Sequence, residues 1–189
     1  MNKTDTIFFK NKVIPELIHE EAIIALSHYP SLNNTAIEFR ITSTMKKSFM
    51  KAQPVLASMF RSKEKRRYVI LMSERFNIEG DVIRIQDISK EVLIGWLGHE
   101  LGHLMDYQER SNMNLMIFGL KYFFSSGYIK KAERAADSYA VQHGMKDYIL
   151  ATKDFILNHS QLSEKYKARI KRLYLSPEEI LSLVQEQGK

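Results

Sequence analysis

The sequence predicts an α+β fold in which a small mixed sheet from the N-terminal half packs on one long helix and is followed by a helical C-terminal part. Three observations support this. Strand-like apolar runs lie in the first half, a long run with helical spacing begins at Ser89, and the C-terminal third is helical in character, with a typical helix start at Ser176-Pro177-Glu178-Glu179. The length of 189 residues and the hydrophobic content of 44% suit a single domain, residues 1–189.

The N-terminal half alternates between helical and strand-like patterns. Residues 13–28 carry apolar residues at near-helical spacing, with Pro15 in the first turn, where its missing N–H does no harm. Thr35–Ile41 alternates with a period of two and predicts a half-buried strand. Residues 44–60 predict a second helix, broken or kinked at Pro54.

Two further strands precede the long helix. Tyr68–Met72 is a compact apolar strand, and Val82–Ile85 predicts another after a turn at Gly80-Asp81. The long helix runs from Ser89 to about Tyr107. It contains three glycines, which are unfavourable inside a helix and therefore predict close packing of another backbone against it. They are Gly95, Gly98 and Gly102.

The chain contains no cysteine, so it has no disulfide framework, no thiolate ligand and no cysteine nucleophile. Any metal would have to be held by nitrogen and oxygen atoms. No secretory signal is visible, because the apolar run Ile7-Phe8-Phe9 is far too short for one and a lysine follows it at once. We therefore expect a cytoplasmic protein.

The net charge of +6 has its densest run at Arg61–Arg67, just before an apolar stretch. We interpret this run as a solvated turn between a helix and a strand, or alternatively as a patch for anionic lipid or nucleic acid. No aromatic interleaving, zinc knuckle or glycine-rich loop supports nucleic acid, so nucleic-acid binding is excluded as the main function. Peripheral contact with an anionic membrane stays open.

The most apolar segment, Met113–Phe124, bears on the same question. It is about a dozen residues long and is interrupted by Asn114, Gly119 and Lys121, whereas a membrane span needs about twenty apolar residues. It holds more apolar residues than one buried helix face requires and could add a lipid contact. We favour its burial in the core or at a subunit interface over lipid contact.

The run Gly98–Leu104 contains the pattern H-E-x-x-H, formed by His99, Glu100 and His103. On a helix the two histidines lie one turn apart on one face, so both imidazoles can reach a single ion. Glu100 points about a quarter-turn away, where it can touch a metal-bound water without binding the metal. Two neutral nitrogen ligands with a carboxylate base beside the water are the parts of a hydrolytic zinc site.

A second signal argues against two unrelated histidines on a surface helix. Ala132–Asp137 places two acids, Glu133 and Asp137, one turn apart among strong helix formers. Glu133 is far enough beyond His103 for a turn and a returning helix. Its carboxylate would complete three protein ligands and leave a fourth position open for water. Asp137 would accept the N–H of a ligating histidine and so hold its ring orientation.

These two motifs resemble those of a known enzyme family. His-Glu-Leu-Gly-His followed by Glu-Arg-Ala-Ala-Asp is similar to the gluzincins, zinc metallopeptidases whose third ligand is a glutamate. Within them it is most similar to the HtpX and CAAX-prenyl-protease type, whose pattern is HExxH followed by ExxxD. His159-Ser160 and Arg169–Leu173 add a looser match. The resemblance covers the region from Ser89 to Leu175.

The resemblance implies a zincin-like fold and a zinc-dependent metalloendopeptidase that hydrolyses peptide bonds in a peptide or protein substrate. One Zn²⁺ per chain would be held by His99, His103 and Glu133, with Glu100 as the general base. The membrane-embedded members of the family have long transmembrane helices around their catalytic motif. This chain has none of that length, so the resemblance implies a relative that is soluble or peripheral to the membrane.

Two parts of such a site stay open. An edge strand beside the metal can hold an extended peptide by main-chain hydrogen bonds, and Tyr68–Met72 and Val82–Ile85 are its candidates. An oxyanion partner is also expected. Its candidates are Tyr139, His143, His159 and Arg169.

Two alternative functions are considered. Regulatory metallopeptidases of the ImmA/IrrE type also pair an HExxH helix with a downstream glutamate, but Asp137 and the Arg-Ile element fit the HtpX-like pattern better and no helix-turn-helix signal is present. The other alternative is a catalytically silent metal-binding scaffold protein. Glu100 argues for an enzyme, since a purely structural site has no use for a base there.

Overall fold

The computed structural model describes residues 11–43, 45, 48–78, 81–159 and 162–187. The N-terminal apolar run at 7–9, the predicted turn at Gly80 and Ser160 of the C-terminal match lie outside these residues. Within them the chain forms a mixed α+β structure, with strands in its first half and helices in its second. The predicted fold class is therefore confirmed at this level.

A four-stranded sheet comes from the first half of the chain. Its strands are β1 (Lys12–Val13), β2 (Ala36–Thr42), β3 (Met50–Pro54) and β4 (Arg67–Ser73), in the spatial order β1-β2-β4-β3. β2 is parallel to β1 and to β4, whereas β3 runs antiparallel to β4, so the sheet is mixed. The strands predicted at 35–41 and 68–72 are confirmed as β2 and β4.

The predicted helix over residues 44–60 is wrong, because its described part holds strand β3 and a short 3₁₀ turn. Met50, Lys51 and Ala52 favour helices by intrinsic propensity. However, Met50 and Ala52 are buried while Lys51 is exposed, the alternation of a strand with one face on the core. Pairing with β4 therefore outweighs local propensity. Pro54 ends β3 at the sheet edge, where a missing N–H is tolerated.

A strand is present where Val82–Ile85 predicted one, but it does not join the main sheet. It is β6 (Asp81–Arg84), which pairs antiparallel with β5 (Arg75–Ile78) in a separate two-stranded ribbon. Because the ribbon does not extend the four-stranded sheet, β3 is the edge strand of that sheet next to β4.

The first helix is shorter than the predicted segment 13–28. Helix α1 covers His19–Ser27, and a 3₁₀ turn, Glu16–Ile18, precedes it. Pro15 is extended, with ψ of 139°, and caps the 3₁₀ turn instead of lying in the first turn of an α-helix. Its fixed φ suits that position equally well.

The long helix predicted from Ser89 is confirmed as α2 (Lys90–Glu109). The Ser89 hydroxyl accepts a backbone N–H of the first turn at 3.4 Å, so Ser89 is the N-cap. Helix α2 packs against the sheet through β3 and against helices from both ends of the chain. Three fully buried leucines on it form the centre of the hydrophobic core: Leu97, Leu101 and Leu104.

Helices also form the rest of the described chain, as predicted. They are α3 (Asn112–Phe124), α4 (Ser126–Gln142), α5 (Lys146–Asn158), α6 (Glu164–Leu173) and α7 (Pro177–Gln187). The predicted start of α7 is confirmed: the Ser176 hydroxyl accepts the N–H of Glu179, and the Ser176 N–H donates to the Glu179 carboxylate. This reciprocal pair is a capping box. Gly144, with φ of 77°, supplies the left-handed residue after the end of α4.

Gly102 brings α2 and α4 into close contact. A Cβ atom at this position would overlap the carbonyl oxygen of Ala136, so only glycine lets the two backbones approach this closely. Ala136 lies almost one turn after Glu133, and the contact therefore carries Glu133 toward the histidines of α2. The predicted close packing is confirmed here and at Gly95, which lies against the Tyr148 carbonyl.

We expect Gly102→Ala to lower the free energy of unfolding by about 1–3 kcal/mol, because a packed backbone must shift. Gly119→Ala is the matched control. Position 119 is helical and exposed, and a Cβ there meets no atom within 4 Å, so this substitution should stabilise the protein by about 0.5–1 kcal/mol. Urea unfolding of both variants measures the difference. Equal effects at the two positions would contradict the contact.

The apolar segment Met113–Phe124 is buried on one face only. Leu115 and Phe118 of α3 point inward and are 3% and 5% exposed, whereas its other large apolar side chains are mostly exposed. Burial of the whole segment in the core is therefore wrong, while its burial at a subunit interface stays a prediction. None of the helices in the described ranges is long and apolar enough to cross a membrane.

The basic run Arg61–Arg67 lies in the segment that leads into β4, around a 3₁₀ turn at Lys63–Lys65. Arg66 departs from the predicted solvated turn because it is buried, and it donates hydrogen bonds to the carbonyls of Tyr107 and Arg110. These are carbonyls at the C-terminal end of α2, where a guanidinium is favourable. The other basic residues of the run are exposed.

Candidate metal centre

The two histidines of the H-E-x-x-H motif lie on one face of α2, as predicted. The rings of His99 and His103 are nearly perpendicular, at 88°, with centroids 4.8 Å apart. Glu133 arrives from α4 between them: its Oε2 atom is 3.1 Å from Nε2 of His99 and 3.4 Å from Nε2 of His103. All three side chains are buried. The structure thus brings together the three residues predicted as ligands.

The arrangement of these atoms fits a metal ion. One ligand atom from each of His99, His103 and Glu133 lies within 4.8 Å of the others. A tetrahedral zinc ion with bonds of about 2.0–2.1 Å separates its ligand atoms by about 3.3 Å, close to the distances of 3.1 and 3.4 Å between Glu133 and the two histidines. The buried triad could therefore hold a metal ion, and its nitrogen and oxygen donors suit zinc and other divalent ions.

Asp137 orients His99, also as predicted. Its Oδ1 atom is 2.8 Å from Nδ1 of His99. Because a carboxylate only accepts, Nδ1 carries the proton and Nε2 is left to face Glu133. The second oxygen of Asp137 accepts from the ammonium of Lys153 at 2.8 Å and from the N–H of Leu175 at 3.0 Å. Nδ1 of His103, by contrast, finds no hydrogen-bond partner among the described residues.

Two residues of this site were not predicted from the sequence. Lys153 of α5 is 4% exposed and binds the Asp137 oxygen that His99 does not contact. Tyr122 of α3 donates its hydroxyl to Oε1 of Glu133 at 2.6 Å, which leaves Oε2 directed at the histidines. Neither residue belongs to a motif, and only the packing of α3 and α5 against α4 places them here.

We expect Lys153→Met to lower the free energy of unfolding by about 3–5 kcal/mol, because it leaves the buried Asp137 carboxylate without its counter-charge. Adding Asp137→Asn to this variant removes the unpaired charge. The double variant should therefore lose less stability than the two single losses together, as measured in a urea-unfolding cycle. Additive losses would show that the ion pair contributes no interaction energy.

Hydrogen bonding raises the affinity of His99 for a proton. Burial by itself lowers its pKa, but the hydrogen bonds and charges of Asp137 and Glu133 outweigh burial and raise the pKa to about 10. Burial by itself raises the pKa of Glu133, but hydrogen bonds and charges from His103 and His99 outweigh it and hold this pKa well below its ordinary value. Without a metal, His99 is therefore a cation at neutral pH, paired with two carboxylates.

Zinc affinity should depend on pH, because a metal must displace the proton from Nε2 of His99. His99 keeps this proton at every pH below its raised pKa of about 10. We therefore expect the affinity to increase at least about tenfold per pH unit between about pH 6 and pH 8. Competition with a chelator of known affinity measures it. A pH-independent affinity in this range would contradict the protonated state assigned to His99.

Glu100 lies beside the triad and faces the sheet. Its Oε2 atom accepts the N–H of Ala52 in β3 at 2.6 Å, and burial raises its pKa above the ordinary value. The strand beside the site is thus β3, the antiparallel edge strand. Both predicted candidates for this strand are wrong: Tyr68–Met72 is interior to the sheet, and Val82–Ile85 falls in the separate ribbon.

A cavity of about 50 Å³ adjoins His99 and Glu100. Its walls are mainly apolar and aromatic, and they include Phe49, Trp96, Ile149, Ile156, Tyr166 and Tyr174. None of the four residues predicted as oxyanion partners lines it. His143, for example, stacks on Tyr29 at 4.6 Å between ring centroids. Four hydroxyl-bearing side chains line the cavity instead: Ser48, Thr152, Tyr166 and Tyr174.

Comparison of the chain with protein-family models, with curated proteins and with solved structures finds no match.

Proposed function

We propose that the chain is a zinc-dependent metalloendopeptidase with a zincin-like fold. The observation that carries this proposal is the convergence of His99, His103 and Glu133 on one point, with Glu100 beside them at the edge of a sheet. Catalytic zinc sites typically have three protein ligands and a nearby carboxylate that does not bind the metal. A structural zinc site has four protein ligands and needs no base.

The roles of the residues follow from their contacts. When bound, zinc would supply Lewis acidity that polarises the scissile carbonyl and acidifies a water molecule. Glu100 would accept the proton of the attacking water and return it to the leaving amine. Its raised pKa suits this exchange, since a base works best when its pKa approaches the working pH. Asp137 and Tyr122 would keep His99 and Glu133 in their ligating orientations.

Strand β3 is the proposed binding site for the peptide substrate. It is an edge strand, so one of its sides carries main-chain groups that do not pair with β4. The N–H of Ala52 points to Glu100, and its carbonyl lies 3.4 Å from the Tyr107 hydroxyl. Both groups lie on the side of β3 that turns away from β4, where an extended peptide would take over these two contacts and add a strand through main-chain hydrogen bonds.

The HtpX-like assignment rests on one helix. Glu133 and Asp137 are one turn apart on α4, and they contact opposite nitrogens of the same histidine ring. The spacing of four residues that places both acids on one face of α4 matches the ExxxD pattern. We propose this family on these contacts and on the sequence motifs.

A cleavage assay tests the proposed function. The purified chain, stripped of metal and then reconstituted with zinc, should cut a mixed peptide library, and the stripped chain should not. A second candidate function is a silent metal-binding scaffold, which is favoured by the burial of Glu100, only 7% exposed. Stoichiometric zinc binding without cleavage of any library member would support the scaffold and overturn the peptidase.

A further inference from the structure

Helix α3 carries a continuous apolar face that is largely exposed. Five of its large apolar side chains are between 45% and 84% exposed. They recur at the spacing of one helix face over the whole length of α3. These residues, which we call the outer face, are Met113, Met116, Ile117, Leu120 and Phe124.

The orientation of this face is determined by contacts on the opposite side of the helix. Leu115 and Phe118 are buried, and the Arg110 guanidinium lies 4.1 Å from the centroid of the Phe118 ring. The Tyr122 hydroxyl is bonded to Glu133 in the metal centre. A rotation of α3 that buried the outer face would break all three arrangements, so the exposure belongs to the folded state.

A second exposed apolar group lies in a segment that is bonded to the start of α3. Leu56 and Phe60 are 75% and 86% exposed. Asn112, the first residue of α3, donates to the carbonyl of Arg61 at 2.8 Å and accepts from the Arg66 guanidinium at 2.6 Å. These bonds hold segment 56–67, at Arg61 and Arg66, to the N-terminal end of α3.

The charges around these apolar residues are nearly all positive. Segment 56–67 exposes four cations and one acid: Arg61, Lys63, Lys65, Arg67 and Glu64. Helix α3 has Lys121 and no acidic residue. At the C-terminal end of α3 the ammonium of Lys121 lies 3.0 Å from the Tyr128 hydroxyl of the next helix, and the ammonium of Lys131 lies 5.9 Å from the centroid of the same tyrosine ring.

We propose that the outer face of α3, together with segment 56–67, binds the surface of an anionic lipid bilayer. An apolar helix face bordered by lysine and arginine is the arrangement that inserts at the level of the headgroups while its cations contact anionic lipids. A second copy of this chain is a poorer occupant, because a two-fold interface would place these cations against themselves. The proposal does not depend on the proposed peptidase activity.

Sedimentation with lipid vesicles tests this surface. The full chain should bind vesicles of mixed phosphatidylcholine and phosphatidylglycerol at least about tenfold more tightly than vesicles of phosphatidylcholine alone, and salt should weaken the binding. The double substitution Ile117→Ser, Leu120→Ser should weaken it at least about fivefold. Its matched control is Leu17→Ser, Leu181→Ser, which alters side chains of similar exposure on other elements and should bind like the wild type.

Two charge-reversal variants distinguish a specific contact of segment 56–67 with lipid from an effect of net charge. Lys63→Glu with Lys65→Glu should weaken binding to the mixed vesicles, whereas Lys165→Glu with Lys171→Glu, on α6, should weaken it much less although both change the net charge equally. Binding to neither vesicle, or equal losses in the test and control variants, would overturn the proposal. The proposal would also be overturned if the wild type formed a dimer, did not bind vesicles, and was dissociated by Ile117→Ser, Leu120→Ser. That result would assign the outer face to a second copy of the chain.

Discussion

Replacing Glu100 by glutamine is expected to lower kcat for peptide cleavage by about 10²–10⁴-fold, the usual contribution of a general base. The amide oxygen of glutamine can still accept the N–H of Ala52, so the local structure should be kept. A glutamine cannot take a proton from water. Because Glu100 is not a member of the metal-binding triad, zinc content should not change.

The matched control is Glu91→Gln, which alters an exposed acid on the same helix. It should retain wild-type kcat and zinc content. The measurement combines cleavage of a defined peptide with elemental analysis of the same samples. If Glu100→Gln cleaves at the wild-type rate, Glu100 is not the base. If it loses zinc, Glu100 acts on the metal site and not on the proton.

Replacing Glu133 by alanine should weaken zinc binding at least about 100-fold. Loss of a residue that only orients a metal ligand already weakens metal binding by about 10- to 100-fold, and loss of a ligand itself should cost more. The wild type should hold about one zinc per chain. In the variant, His99 and His103 face each other without the carboxylate that both now contact. Two histidines alone leave the ion with too few protein ligands for tight binding.

Glu164→Ala is the control for this substitution, because Glu164 is an exposed acid on α6. It should bind zinc like the wild type. Circular dichroism of all samples shows whether the variants fold. Unchanged zinc stoichiometry and affinity in folded Glu133→Ala would exclude Glu133 as the third ligand. Little zinc in the reconstituted wild type would exclude the proposed centre altogether.

The local parts of the centre could be predicted because they depend on short-range geometry. His99, Glu100 and His103 are placed by the period of a single helix, and so are Glu133 and Asp137. Neither prediction needed to know how the helices pack. The caps at Ser89 and Ser176 are equally local, since a hydroxyl reaches only the N–H groups of the next turn.

The edge strand could not be predicted in the same way. Residues 50–54 have helix-favouring composition, and they form a strand because β4 offers unpaired main-chain groups and a core to cover. Such pairing depends on residues distant in the chain and outweighs propensities of a fraction of a kcal/mol per residue. The same reasoning applies to the outer face of α3. Its exposure follows from contacts on the opposite side of the helix, where Tyr122 bonds to Glu133 and Phe118 packs under Arg110.

The sequence by itself therefore determined the helix and strand periods, the caps and the five residues of the two metal-site motifs. Tertiary structure alone decided that Glu133 reaches the histidines, through the contact that Gly102 permits with Ala136. It also supplied Lys153 and Tyr122, which no motif marks. The physical reason is range: a helical repeat is determined by neighbours within a few residues, whereas a buried charge finds its partner only when distant helices pack together.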